Sequence, residues 1–109
     1  MCQLFAKTDP ILYESRTRTI RIRGVLTSIR LENLVWDVLA EMAAAEGRTT
    51  NNLISMLYDE ILQYRGEVPN FASFLRVTCI RYLQLAQNQP AGKAMACTIP
   101  NVVPIAARN

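Results

Sequence analysis

From Thr17 the chain alternates in steps of two: Thr19, Arg21 and Arg23 interleave with Ile20 and Ile22, the period of a half-buried strand. A second alternation sets Thr27, Ile29 and Leu31 against Ser28 and Arg30. Apolar residues fall on even numbers through Ile22 and on odd numbers from Ile29. One flat strand cannot do that without turning its apolar set to the other face. Gly24 lies between, so the pattern predicts two short strands with a bulge or tight bend near Gly24 to Leu26.

From about Asn33 the period lengthens to that of a helix. Asn33, Asp37 and Glu41 form a polar stripe, while Leu34, Val35, Trp36, Val38, Leu39, Met42 and Ala43-Ala44-Ala45 make the rest apolar. Such a helix is buried on more than one side. Gly47 is a good stop, because glycine takes the left-handed conformation cheaply. Thr49 or Thr50 then caps a second helix, with Leu53, Ile54, Leu57, Ile61 and Tyr64 on one face, ending near Arg65-Gly66. Asn70 caps a third, which carries Phe71, Phe74, Leu75, Cys79, Tyr82 and Leu83 and runs to about Gln87.

The expected organisation is an irregular arm over 1–15, a domain over 16–87, and an extended or disordered tail over 88–109 interrupted by Pro90, Pro100 and Pro104. At 109 residues, half of them apolar, the chain is one domain and too hydrophobic for intrinsic disorder. No apolar run is long enough for a membrane span, and the first residues lack a secretory pattern, so a cytoplasmic location is expected.

Absences narrow the chemistry. The chain has no histidine, which removes the commonest general base and His-bearing zinc sites. Cys2, Cys79 and Cys97 are too far apart for a C-x-x-C pair, and Cys79 is expected to be buried and reduced. With four glycines there is no phosphate-cradling loop. No catalytic residue, metal site or cofactor is expected.

Charge is polarised. Residues 15–31 carry Arg16, Arg18, Arg21, Arg23 and Arg30 with no acid, whereas 32–66 carry a net −4. A basic segment leading into an acidic helical body favours a polyanionic partner, although charge also protects the edge strands of proteins that bind no anion.

A strand, two helices and a glycine turn make a unit of about 40 residues, too small to cover its own core readily. Its strand has no partner within that unit. Pairing with a second copy closes the strand edge and covers the first helix, which predicts a homodimer. The expected dimer core is Ile29, Leu31, Val35, Trp36, Leu39, Leu53 and Leu57.

The run Thr27-Ser28-Ile29-Arg30-Leu31-Glu32, followed by Trp36-Asp37, Leu39, Ala43, Gly47 and Thr49, resembles the ribbon-helix-helix family. It is most similar to the short bacterial members with a T-S-[IV]-R-L-E…W-[DE] signature, over roughly residues 20–85. The resemblance implies a mainly α fold with a short N-terminal β-ribbon, built as an intertwined homodimer, with a third C-terminal helix added. It also implies binding of double-stranded DNA by an intersubunit two-stranded ribbon in the major groove, usually by a repressor or an antitoxin.

On that basis Ser28 and Arg30, which alternation turns outward, are the base-reading candidates. Arg48, Thr49 and Thr50 would hold a phosphate at a helix N-terminus, and Arg21 and Arg23 would add phosphate contacts. A surface Arg30 paired with Glu32 or Asp37, and plain capping by Thr49, are the competing assignments. Leu26 departs from the polar or basic residue usual at an outward ribbon position. Whether the strand at 18–23 covers the ribbon is left open. A further alternative is a protein-interaction or antitoxin-type module that uses the third helix or the tail, and a tetramer is the alternative to the homodimer.

Overall fold

The computed structural model describes residues 2–87. Ser15–Ile22 (β1) and Val25–Glu32 (β2) pair antiparallel, from Ser15 opposite Glu32 to Ile22 opposite Val25. Only Arg23 and Gly24 separate the strands, and both have positive φ, 52° and 80°. That is the backbone of a type I′ turn, whose twist matches the strands it joins. The hairpin explains the change of parity in the sequence. Across a two-residue turn even positions face odd ones, so Ile20 and Ile22 share one face with Ile29 and Leu31. The reversal lies at residues 23–24, just ahead of the bend expected near Gly24 to Leu26, and it is a turn rather than a bulge.

Before the hairpin, in the stretch expected to be an irregular arm, come a five-residue helix, Cys2–Ala6 (α1), and a single 3-10 turn, Pro10–Leu12. Asp9 caps that turn by accepting from the N–H of Ile11 at 3.1 Å. The arm is tied down by Asn33, which donates its backbone N–H to the Glu14 carbonyl at 2.8 Å and its side-chain amide to the Ile11 carbonyl at 2.8 Å.

Three longer helices follow: Asn33–Ala45 (α2), Thr50–Arg65 (α3) and Phe71–Gln87 (α4). The end of α2, both ends of α3 and the start of α4 match the residues read from the sequence as stops and caps. Gly47 and Gly66 take left-handed φ of 70° and 83° after α2 and α3. Thr49 accepts from the N–H of Asn52 at 3.0 Å, and Asn70 from the N–H of Ser73 at 3.1 Å. Residues 1–79 form one compact unit, and the C-terminal part of α4 from Ile80 belongs to a second.

In the first unit, the apolar face of the hairpin lies against α2 and α3. Ile20, Ile22, Ile29, Leu31, Trp36, Val38, Leu39, Ala43, Leu53, Ile54, Leu75 and Cys79 are buried. No polar or charged residue joins them among the described residues. The chain therefore covers much of its apolar α2 helix itself, where the sequence alone suggested that a second copy must do so. β2, expected to find its partner in that copy, is paired on one side by β1. Of the seven residues expected at a dimer core, Ile29, Leu31, Trp36, Leu39 and Leu53 are buried within the single chain, and Val35 and Leu57 are half-exposed. Tyr64, placed on the apolar face of its helix by periodicity, is 81% exposed in the last turn of α3.

Candidate nucleic-acid interface

The register sorts the hairpin's side chains into two faces. Opposite the buried isoleucines lies an outward face on which Thr17 stands across from Arg30, Thr19 from Ser28 and Arg21 from Leu26. All six are exposed. These six carry two guanidinium groups and three hydroxyls. At the far end of the same face Glu32, across from Ser15, is held by Arg76 of α4 at 2.9 Å, and that hydrogen bond keeps the Glu32 carboxyl below its ordinary pKa. Arg30 thus does not make the ion pair with Glu32 weighed from the sequence, and among the described residues no ion pair joins it to Asp37 either. Leu26, 62% exposed at the hairpin tip, is the one large apolar side chain on this face.

The two edges of the sheet differ. A two-residue turn makes Ile22 and Val25 a hydrogen-bonded pair, so on β2 the backbone groups of Val25, Thr27, Ile29 and Leu31 point toward β1. Those of Leu26, Ser28 and Arg30 point away from it, and no hydrogen bond to them is found among the described residues. On β1 the outward groups of Arg21 are both taken. Asn51 accepts its N–H at 3.0 Å and donates to its carbonyl at 3.1 Å. Asn51 therefore acts as a one-residue strand on the β1 edge, and β2 keeps the edge on which another strand can add.

Arg21 also approaches the Gly24 carbonyl, at 3.5 Å. Arg23, in the turn, is bound to Asp59 of α3 at 2.8 Å, which draws it away from the outward face. Arg48 pairs with Glu46 at 2.9 Å and donates to the Asn52 side chain at 2.8 Å, so it stands beside the start of α3. Thr49 caps that helix, and Thr50 is its first residue. The seven candidates consequently form two groups. Arg21, Ser28 and Arg30 share the outward sheet face, and Arg48, Thr49 and Thr50 share the N-terminus of α3. Arg23 bridges the hairpin turn to α3.

Two roles were not legible in the sequence. Arg18 lies on the helix side of the sheet with its guanidinium 5.0 Å from the Trp36 ring centre. Trp36 in turn donates its indole N–H to the Arg16 carbonyl at 2.9 Å. Asn51 looked like an ordinary first-turn residue, and only the fold brings it to the strand edge. Cys79 is buried, as expected, and burial pushes its thiol up to about 11, away from nucleophilic use. Among the described residues no cluster of metal-binding side chains occurs, and no helix is long and apolar enough to cross a membrane.

A hairpin with one open edge, followed by two helices joined at a glycine turn, defines the class, and sequence comparison agrees. The model of the ribbon-helix-helix domain matches residues 15–83, and the chain belongs to that family. The family is in general one of DNA-binding regulators that dimerise, on a fold that is not enzymatic. Among solved structures, the chain is similar to an uncharacterized protein from Bordetella pertussis Tohama I. The two are 50% identical, with a TM-score of 0.78 over 84% of this chain and 75% of that one. No curated protein matches it.

Proposed function

We propose that the protein is a repressor-like transcriptional regulator of the cytoplasm. It acts as a homodimer in which β2 of each copy pairs with β2 of the other and the joined strands enter the major groove of double-stranded DNA. The open β2 edge beside a basic outward face, whose one carboxylate, Glu32, is paired with Arg76, carries this reading. Because Leu26, Ser28 and Arg30 are the residues with free backbone groups, only those positions bond across the two-fold axis. Side chains of the same face therefore align, and Ser28 and Arg30 of both copies stand together. A ribbon of that kind fits the major groove, where arginine bonds guanine O6 and N7 in a bidentate manner and serine bonds either base type.

Arg21 adds a phosphate contact from the same face, and the N–H groups at Thr49 and Thr50, with Arg48, supply one at the start of α3. Arg23 joins them only by exchanging Asp59 for a phosphate. The test is fluorescence anisotropy with a randomised duplex pool at low and moderate salt. Enrichment of particular duplexes that survives moderate salt, and is lost in Arg30→Ala, is the expected result. Equal binding by Arg30→Ala and wild type would falsify the assignment of Arg30.

A second reading rests on the C-terminal part of α4, where Ile80, Leu83 and Leu85 are exposed beside Gln84 and Gln87. This surface suits a protein partner, as in an antitoxin or a dimer of dimers. The tail at 88–109, to which the same role was ascribed, lies outside the described residues. A co-purifying protein lost on changing Ile80 and Leu83 to serine would favour this reading, and unchanged composition would sink it.

A further inference from the structure

β1 flanks β2 along its whole length, so pairing through β2 builds a sheet of four strands, ordered β1-β2-β2-β1, rather than a bare ribbon. Neighbouring strands lie about 4.8 Å apart, which sets the two outer strands about 14 Å from each other. The major groove is only about 12 Å wide. The central pair can enter it, but the outer strands cannot follow and come to rest over the rims, where the phosphates are. The outward residues of β1 are Ser15, Thr17, Thr19 and Arg21: three hydroxyls and a guanidinium, all exposed, with no carboxylate among them.

We infer that the strands divide the work. β2 reads bases through Ser28 and Arg30, while β1 grips the two phosphate backbones that border the groove through Thr17 and Thr19 beside Arg21. The inference rests on the DNA-binding reading above and deepens it. Thr17 lies directly across from Arg30, and Thr19 from Ser28, so each base-reading side chain has a phosphate-gripping neighbour in the same cross-strand row. The rows run from groove centre to groove rim. β1 then does not cover the ribbon. It sets the depth to which the ribbon enters and fixes its position across the groove.

The asymmetry of the edges supports the same order. Asn51 occupies the β1 edge at Arg21, so pairing of β1 with β1, which would put Thr17 and Thr19 at the centre and Ser28 and Arg30 at the rim, would have to displace it. The order with β2 inside needs no such displacement, because no hydrogen bond to the outward backbone groups of Leu26, Ser28 and Arg30 is found among the described residues.

The full chain is tested with the duplex that wild type selects from a randomised pool and with a scrambled duplex of the same composition. The comparison set is Thr17→Val with Thr19→Val, and Ser28→Ala with Arg30→Ala. Valine keeps the branched shape and strand preference of threonine and removes only the hydroxyls. The β1 pair is expected to weaken both duplexes by the same factor, about tenfold for a dimer that loses four neutral hydrogen bonds of partial strength, and to leave their ratio unchanged. The β2 pair is expected to collapse that ratio.

Phosphate ethylation supplies a readout independent of the variants' stability. Ethyl groups on the rim phosphates should hinder wild type, and at some of those positions should cease to matter to the β1 variant. A changed sequence preference in the β1 variant, or affinity and ethylation pattern both unchanged, overturns the division of labour while the DNA-binding reading stands. Absence of any salt-sensitive binding by wild type overturns both.

Discussion

Asn51 completes the hydrogen bonding of Arg21 as a neighbouring strand would, with its amide oxygen 3.0 Å from the Arg21 N–H and its amide nitrogen 3.1 Å from the Arg21 carbonyl. The first turn of α3 is thereby fastened to the outer edge of β1, and that edge is capped at Arg21, beside the turn. Asn51→Ala leaves both backbone groups to water and is expected to cost about 1–2 kcal/mol, read as a lowered urea midpoint with unchanged m. Asn51→Asp keeps an acceptor for the N–H but faces the Arg21 carbonyl with a carboxylate, so it should cost at least as much. Loss of the cap also frees the β1 edge, and sedimentation velocity should show concentration-dependent association beyond that of wild type. A wild-type midpoint in Asn51→Ala would show that the pairing contributes nothing.

The turn between the strands is a second place where one residue decides geometry. Gly24 has φ of 80°, and a Cβ built there meets nothing within 4 Å. The cost of Gly24→Ala is therefore conformational and not steric contact, and about 1 kcal/mol is expected. Arg23, at φ of 52°, pays a similar penalty in wild type, offset in part by its exposed pair with Asp59. Arg23→Asn creates the Asn-Gly sequence that type I′ turns favour and should leave stability unchanged or raise it by a few tenths of a kcal/mol. Thermal unfolding of the two variants side by side checks the assignment. A stabilised Gly24→Ala would mean that the turn is of another type.

Much of this fold was legible, because the signals that specify it are local. The stop of α2 and both ends of α3 followed from Gly47, Thr49 and Gly66, whose conformational preferences act over one turn, and the start of α2 from the change of period at Asn33. The reversal of parity between Ile22 and Ile29 carried the hairpin as well. Two runs whose apolar residues change from even to odd are what a two-residue turn produces when both strands face one core. A bend was expected at about the right place for that reason, but Arg23, an unusual residue for positive φ, hid the turn itself.

What could not be read depends on positions 18 to 44 residues apart. Nothing in the first turn of α3 announces that Asn51 will reach Arg21, that Arg18 will cover Trp36, or that Arg76 will claim Glu32 and leave Arg30 free. The candidate site was legible in its face, since alternation turned Ser28 and Arg30 outward. It was not legible in its width, which depends on β1 lying beside β2.

The pair between Glu32 and Arg76 ties the junction of β2 and α2 to α4, and it gives stability a pH dependence of definite sign. The Arg76 hydrogen bond lowers the Glu32 pKa in the folded state. Where the unfolded chain binds a proton and the folded chain does not, stability rises with pH. The contribution is thus fully present above the ordinary carboxylate range and is lost as pH falls through the lowered folded value. Glu32→Gln should remove this part of the acid sensitivity, so that the stability difference from wild type shrinks between about pH 6 and about pH 3. Both side chains are partly exposed, so the difference at neutral pH should be below about 1 kcal/mol and should diminish in high salt. A difference that grows on acidification would have the wrong sign for this pair.

Trp36 is the single tryptophan of the chain and is buried, with its indole N–H on the Arg16 carbonyl and the Arg18 guanidinium over its ring. It thereby holds β1, the strand to which phosphate contact is ascribed, from the helix side. Trp36→Phe keeps an aromatic ring for Arg18 but removes the N–H, and should cost about 1–2 kcal/mol, including the lost ring volume. Trp36→Leu removes the ring face as well. Arg18→Ala in the wild-type background should cost about 0.5–1 kcal/mol, and in the Trp36→Leu background much less, because the cation has lost its partner. Far-UV circular dichroism in urea follows all four proteins without relying on tryptophan emission. Equal cost of Arg18→Ala in both backgrounds would mean that the guanidinium lies over the ring without being attracted to it, and that β1 is held by the Arg16 hydrogen bond and apolar packing alone.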